Sequence, residues 1–391
     1  MAASRLQRAG QTTFAGPKVS LCTRRFVWPA VARPPGPSTM RRTPSLECPM
    51  DYEEQLALAP CDLVYARPTR YDGSGFSVQL SHFAPADLDL LTRVYRVMRR
   101  AHGLWLHLRD ATRTGAPLPI DLLRRHILRE LRDRSFLLTL RELGAATYAL
   151  GTPGPGVPGA LHDIRGGALL ALIGFAAAEA RGESISDGEI RHAALRARDH
   201  ARIMRHAVSD LDPQLREIDA EIKTHMILDF VDKWDSSIYR AGERMVAVSA
   251  EVNFDGMVTN HDLETAAIDR VLCTHINNAA RYTANDRVSI TALPINDQLI
   301  RWVVENPIFG EQNQSLREAT GGDLGKLYRG GATRGGHSIG LAQCAEIVAV
   351  ACGLESAEEA VYRGYIGSTV RDLRYAAWFH WPIFRKPAAQ R

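Results

Sequence analysis

Between its first residue and Glu47 the chain has no acidic residue, while Arg5, Arg8, Lys18, Arg24, Arg25, Arg33, Arg41 and Arg42 all fall there. Residues 1–49, which also contain ARPPGPST, therefore read as a disordered basic leader. An Arg-rich, acid-poor start is equally the composition of an organelle transit peptide, and Met40 or Met50 would serve as a later start of translation. Cysteine is sparse: Cys22, Cys48, Cys61, Cys273, Cys344 and Cys352 form no CxxC pair and no zinc-ligand spacing. That excludes a zinc ribbon and leaves free thiols suited to a reducing compartment. No apolar run reaches the roughly 18 residues of a membrane span. The longest, residues 168–178, falls well short, so a cytoplasmic protein is expected. Charge is low as well, and a net +4 does not argue for nucleic acid.

What is present is ordinary for globular domains: 391 residues, 45% of them hydrophobic and 24% charged, enough for two or three cores. Residues 50–150 read as a separate, mostly helical module that would suit a sensor. DLDLLTRVYRVMRRAHGLWLHL and IDLLRRHILRELRDRSFLLTLRELG carry apolar residues at three- and four-residue spacing. A short strand or hairpin is expected before them, around GFSVQLSHF, and the scattered His82, His102, His107 and His126 read as structural. The tract GTPGPGVPG then breaks any helix.

Residues 155–213 read as a helical hairpin. Its first helix is expected over about 161–181, with GESISDGE as the turn and Asp187 as the cap of the second. In that second helix Ile190, Ala194, Ala197, Ala201, Met204, Val208 and Leu211 recur at alternating steps of four and three, the seam of a helical bundle. Two helices with apolar faces this wide need a partner. The expected solution is a homodimer through residues 160–211 that makes a four-helix bundle, the alternative being a hairpin packed on its own N-terminal module. Asp212-Pro213 caps a further helix. Residues 214–385 then alternate β-branched runs (RMVAVSAEVNF, RVSITALPI, LIRWVVENP, RYAAWFHWPIF) with amphipathic helices, which predicts an α/β sandwich followed by a tail at 386–391.

Three stretches carry chemistry. In HDIRGG, His162 is expected to open a helix, with Asp163 holding one ring nitrogen protonated and leaving the other nucleophilic. THINNAARYT places Asn277, Asn278, Arg281 and Tyr282 on a helix; an amide oxygen there can ligate Mg²⁺ and an arginine can meet a phosphate. Residues 321–340 are glycine-dense, contain Lys326, Arg329 and Arg334, and run into an apolar helix. That is the layout of an anion-binding loop.

In this order the stretches resemble the boxes of bacterial sensor histidine kinases. LHDIRGGALLALIGF looks like the phosphoacceptor box, INNAARYT like the N box, LGKLYRG like the F box and GGHSIGL like the second glycine box. The resemblance covers residues 155–385, and the N box and second glycine box are its most specific parts. It implies a dimerisation and phosphotransfer hairpin followed by a GHKL-type (Bergerat) ATP-binding domain, with ATP and Mg²⁺ as ligands. His162 Nε2 would attack the γ-phosphate, with Asp163 as general base and ring orienter. Asn278 would ligate Mg²⁺, and Arg281 and Tyr282 would line the nucleotide site. Gly336 and Gly340 would close over the phosphates, with Lys326 or Arg329 neutralising charge. The phosphoryl group would pass to an aspartate of a response-regulator receiver domain.

Four departures from the family pattern stand out. Where the family has an adenine-binding D-x-G-x-G, this chain has VVENPIFG, so Asn306 or Glu305 would accept the adenine proton. Thr274 replaces the first Asn of the N box, and Ser338 replaces a glycine in the second glycine box. Gly166 stands where a Thr or Asn positions water for dephosphorylation, which implies weak or absent phosphatase activity. The competing expectations are an ATP-incompetent phosphotransfer protein, and a receiver-binding scaffold using the basic face of Arg191, Arg198, Arg202 and Arg205. His200 is the fallback phosphoacceptor.

Overall fold

The computed structural model describes residues 49–384, apart from 60–62, 64–70, 72–75, 113–120, 222, 242–243, 260, 330–338 and scattered positions between 123 and 141. The leader, His126, Arg334, Gly336, Ser338 and the tail lie outside the described residues. Residues 46–391 form one compact unit. The chain begins with α1 (Tyr52–Leu56), closed by an Asp51–Glu54 capping box, and continues into the long α2 (Pro85–Thr112) and a single turn, α3 (Ala145–Ala149). Then come α4 (Val157–Arg165), α5 (Gly167–Ala180), α6 (Asp187–Ala207) and α7 (Pro213–Ala220). The remainder is β1 (His225–Met226), α8 (Ile227–Val231), β2 (Ser237–Ala241), β3 (Arg244–Val252), β4 (Met257–Thr259), α9 (Asp262–Tyr282), β5 (Arg287–Pro294), β6 (Leu299–Pro307), α10 (Gly310–Thr320), α11 (Ile339–Ala351), α12 (Ala357–Tyr362), β7 (Ile366–Arg371) and β8 (Arg374–Pro382).

Six strands form one mixed sheet in the order β2-β3-β5-β6-β8-β7, in which only β3 and β5 run parallel. Their crossover carries α9, as a parallel connection requires. Alternation on β6 separates the two faces. Ile300, Trp302 and Val304 face the core that holds α9 and α11, together with Phe379 and Trp381 of β8. Val303, with Ala376 and Trp378, faces Met50 and Leu58 on the opposite side. The second face is thus covered by residues 49–59. Arg301, fully buried within the apolar run, fastens them: it donates to the carbonyls of Gln55 (2.7 Å), Leu56 (2.8 Å) and Ala59 (3.3 Å), and to His380 Nε2 (2.9 Å). The last carbonyls of α1 lack intrahelical partners, so a buried guanidinium is their natural complement.

The described parts of residues 50–150 do not stand apart from the rest of the chain. Their start lies on the sheet, and α2 packs into the helical core through Leu91, Val94 and Met98 beside Ala194, Ala197, Ala201 and Met204 of α6. Ile190, Ala194, Ala197, Met204 and Val208 are fully buried within the one chain. The seam expected to join two copies is closed intramolecularly, because α2 supplies an apolar face of matching length; these positions are not free for a second copy. The first hairpin helix is also two helices. Gly166, with φ −98° and ψ −130°, ends α4, and a Cβ there would lie 2.9 Å from the His162 carbonyl. The kink follows from the tandem Gly166-Gly167. Ser186 rather than Asp187 caps α6, completing a box with Glu189.

Candidate functional site

His162 lies in the last turn of α4, not at its first. Its side chain is about one-third exposed (32%), and Nδ1 stands 3.4 Å from Asp163 Oδ1. The ring's far edge rests on the start of α11: a Cβ built on Gly340 would lie 2.6 Å from His162 Cε1, 2.7 Å from Nε2 and 3.3 Å from Thr274 Cγ2. Glycine is therefore required at 340 for this approach. The absence of Asn at 274 leaves a smaller Thr, whose hydroxyl donates back to the Arg270 carbonyl (2.9 Å).

Asp163 is buried. Burial alone would raise its carboxyl, but Arg270, with Nη2 2.5 Å from Oδ2, and the bond to His162 together hold it below the usual range. Arg270 is itself buried and also meets His206 Nδ1 at 2.5 Å. Burial and the Arg270 charge keep His206 neutral, and its Nε2 stands 2.9 Å from the Tyr71 hydroxyl. Arg270, Thr274 and Asn278 follow at four-residue steps, so one face of α9 runs from this ion pair past His162 to the Asn278 amide.

The two adjacent asparagines separate cleanly. Asn277 Oδ1 accepts a short bond from the Tyr239 hydroxyl and is held by the fold. Asn278 is half-buried, and its side chain has no partner among the described residues. Glu305 and Asn306 separate as well. Glu305 faces the covered side of the sheet, where Met50 N donates to both carboxylate oxygens. Asn306 falls on the alternate face with Trp302 and Val304; its Nδ2 donates to the Pro307 carbonyl (3.1 Å), and its buried Oδ1 has no partner. Asn306 is thus the candidate acceptor at this position.

Other expected site residues lie on the surface. Arg281 stacks over the Tyr282 ring at 6.0 Å, and Tyr282 is about half exposed. Lys326 is exposed, and Arg329 pairs with Asp323 (3.4 Å) on a 3-10 turn, Leu324–Tyr328, anchored by the Tyr328 hydroxyl on the Gly367 carbonyl. The basic face of α6 is mostly spent internally. Arg198 pairs with Asp199 (2.7 Å), Arg202 with Asp262 (2.7 Å) and Arg205 with Asp219 (2.6 Å), leaving only Arg191 of that set exposed. His200 is fully buried, and burial pulls its imidazole down to about 4. A ring that neither ATP nor a receiver domain can reach is no phosphoacceptor. Burial likewise pushes the Cys344 thiol, one turn along α11 from Gly340, up to about 12, so it stays protonated.

Among the described residues no three His, Cys, Asp or Glu side chains cluster as metal ligands, and no helix is long and apolar enough to cross a membrane. No family model matches the sequence, and no curated protein matches it. Solved structures similar to it include histidine kinases. They include the catalytic domain of histidine kinase ThkA, at 20% identity over 35% of this chain and 80% of that one, with a TM-score of 0.24. The mycobacterial sensor histidine kinase MprB matches at 14% identity over 36% and 84%, TM-score 0.25. Full-length ShkA in complex with AMPPNP matches at 16% over 56% of this chain and 44% of that one, TM-score 0.29. At such identities and scores the reading of the site rests on its own geometry.

Proposed function

We propose that this chain is a protein-histidine kinase that takes a phosphoryl group from ATP onto His162 and passes it to a response-regulator aspartate. The observation that carries the reading is the placement of His162 against Gly340 and Thr274, on the α9 face that presents Asn278 one turn further on. The residues fit a nucleotide with its cation. Asn278 offers an unengaged amide oxygen of the kind hard cations take, and Asn306 offers a buried, unpartnered acceptor for an adenine amino group. The start of α11 adds backbone N–H groups for phosphate. Mg-ATP, when bound, supplies the γ-phosphoryl group. Asp163 holds the proton on His162 Nδ1, which leaves the Nε2 lone pair as nucleophile. The ring turns off Gly340 to face the phosphoryl group, and Asp163, kept ionised by Arg270, stabilises the imidazolium that forms. With Gly166 serving only to break the helix, no side chain is placed there to position a hydrolytic water, so dephosphorylation of the partner is weak. Within this proposal the transfer runs within one chain, in the cytoplasm.

Labelling tests this directly. Purified chain with γ-labelled ATP and Mg²⁺ is expected to take up acid-labile label, and His162→Gln and Asn278→Ala to take up none. Label persisting on His162→Gln overturns the assignment. If nothing labels, but a phosphorylated receiver domain returns its phosphate to His162, the chain is a phosphotransfer protein instead.

A further inference from the structure

Neighbouring residues on a helix do not face each other. The contact between His162 Nδ1 and Asp163 Oδ1 therefore needs something outside α4 to draw the carboxylate across. Arg270 is placed to do so. Its guanidinium is buried and lies 2.5 Å from Asp163 Oδ2, on the side of the carboxylate away from His162. Asp163 is also its only ion-pair partner among the described residues. The second arm of the fork is taken by His206 Nδ1, which is neutral and so accepts. In a neutral imidazole accepting at Nδ1, the proton sits on Nε2 and points at the Tyr71 oxygen. Tyr71 stacks on the same ring with centroids 5.4 Å apart, which fixes its plane. A chain of contacts thus runs from Tyr71 through His206, Arg270 and Asp163 to His162.

We propose that Arg270 is a positioning residue for His162. It acts through Asp163 to fix the ring's tautomer and aim, and His206 and Tyr71 hold the guanidinium in place. The role in phosphoryl transfer rests on His162 being the phosphoacceptor, but the role in setting the tautomer does not. A mere staple between α9 and α4 would affect stability alone. A positioning residue also sets which nitrogen of His162 carries the proton and how fast Nε2 reacts.

The test uses the full chain with ¹⁵N-histidine, His162 being assigned from the signal lost in His162→Gln. The wild type is expected in the Nδ1–H form. Arg270→Gln is expected to shift His162 toward the Nε2–H form and to lower kcat for phosphohistidine formation about 10- to 100-fold, with KM for ATP within twofold. Arg270→Lys, which keeps the charge, should restore the Nδ1–H form in large part. Tyr71→Phe loosens the far end without removing a charge and should give the same shift more weakly, which keeps the test open if Arg270→Gln does not fold. A folded Arg270→Gln, or failing that Tyr71→Phe, that leaves His162 in the Nδ1–H form overturns the proposal whatever the kinase activity. A wild type that shows the tautomer dependence without labelling overturns the kinase reading and leaves the positioning role standing.

Discussion

Gly340→Ala separates fold from function at the proposed site. The added Cβ would lie 2.6 Å from His162 Cε1 and 2.7 Å from Nε2, against the 3.5–4 Å of ordinary carbon contacts. Relief requires the imidazole tip to retreat by roughly 1 Å. The tip is the far end of a side chain and can yield, so the overpacking cost sits near the low end, about 1 kcal/mol. Position 340 is helical, and replacing glycine by alanine in a helix returns about 1 kcal/mol. The two nearly cancel, and the thermal midpoint should stay within a few degrees of wild type. The reaction should not be spared. In the proposed reaction the methyl stands where ring and phosphoryl group would meet, and a 1 Å displacement of reacting groups costs on the order of 100-fold. Initial-rate labelling with γ-labelled ATP, beside a melting curve on the same preparation, measures both. Gly174→Ala is the converse control: its Cβ would collide with the Arg240 backbone carbonyl, which cannot yield, so stability should fall. A folded Gly340→Ala protein that labels within twofold of wild type would refute the placement of His162 as the working geometry.

The asparagine pair should divide by role. Asn277→Ala breaks the bond to Tyr239 and should cost about 1–2 kcal/mol in denaturant unfolding while sparing nucleotide binding. Asn278→Ala should abolish calorimetric binding of Mg-ATP with stability within about 0.5 kcal/mol. Arg301→Met removes the donor to three carbonyls and to His380, and should cost about 3 kcal/mol or more by urea titration. Buried histidines predict acid sensitivity: burial holds His200 and His275 down at about 4 and His380 at about 3, against an unfolded value near 6.5. The unfolded chain binds these protons first, so stability is full above pH 6.5 and falls as pH drops toward 4. The loss is about 2 kcal/mol per histidine by pH 5, and a flat melting temperature over that window would contradict it.

Much of the sheet was legible in the sequence because its strands are β-branched runs bounded by turns. Residues 244–252, 287–294, 299–307 and 374–382 all form strands where expected. The α6 seam showed that an apolar face needed a cover, but not that α2 provides it; periodicity reports a face, never its occupant. The helix break could have been anticipated from Gly166-Gly167. Tandem glycine weakens a helix wherever packing does not compensate. Of the candidate site, His162, Asp163, Asn278 and Gly340 are singled out in the sequence by residue type and order. Arg270, His206 and Tyr71 were missed, since an arginine inside an amphipathic helix and a buried histidine leave no local pattern. Their partners lie far away in sequence, and only the folded chain brings them together. The same holds for Arg301, whose charge inside LIRWVVENP has meaning only once residues 49–59 lie over the sheet.

The nitrogen that carries the phosphoryl group tests the central claim most directly. With Asp163 on Nδ1, isomer-resolved detection of phosphohistidine after reaction with Mg-ATP should find the Nε2-linked isomer, on His162 alone. The Nδ1-linked isomer, or acid-labile phosphate mapped to any other histidine, would contradict the account.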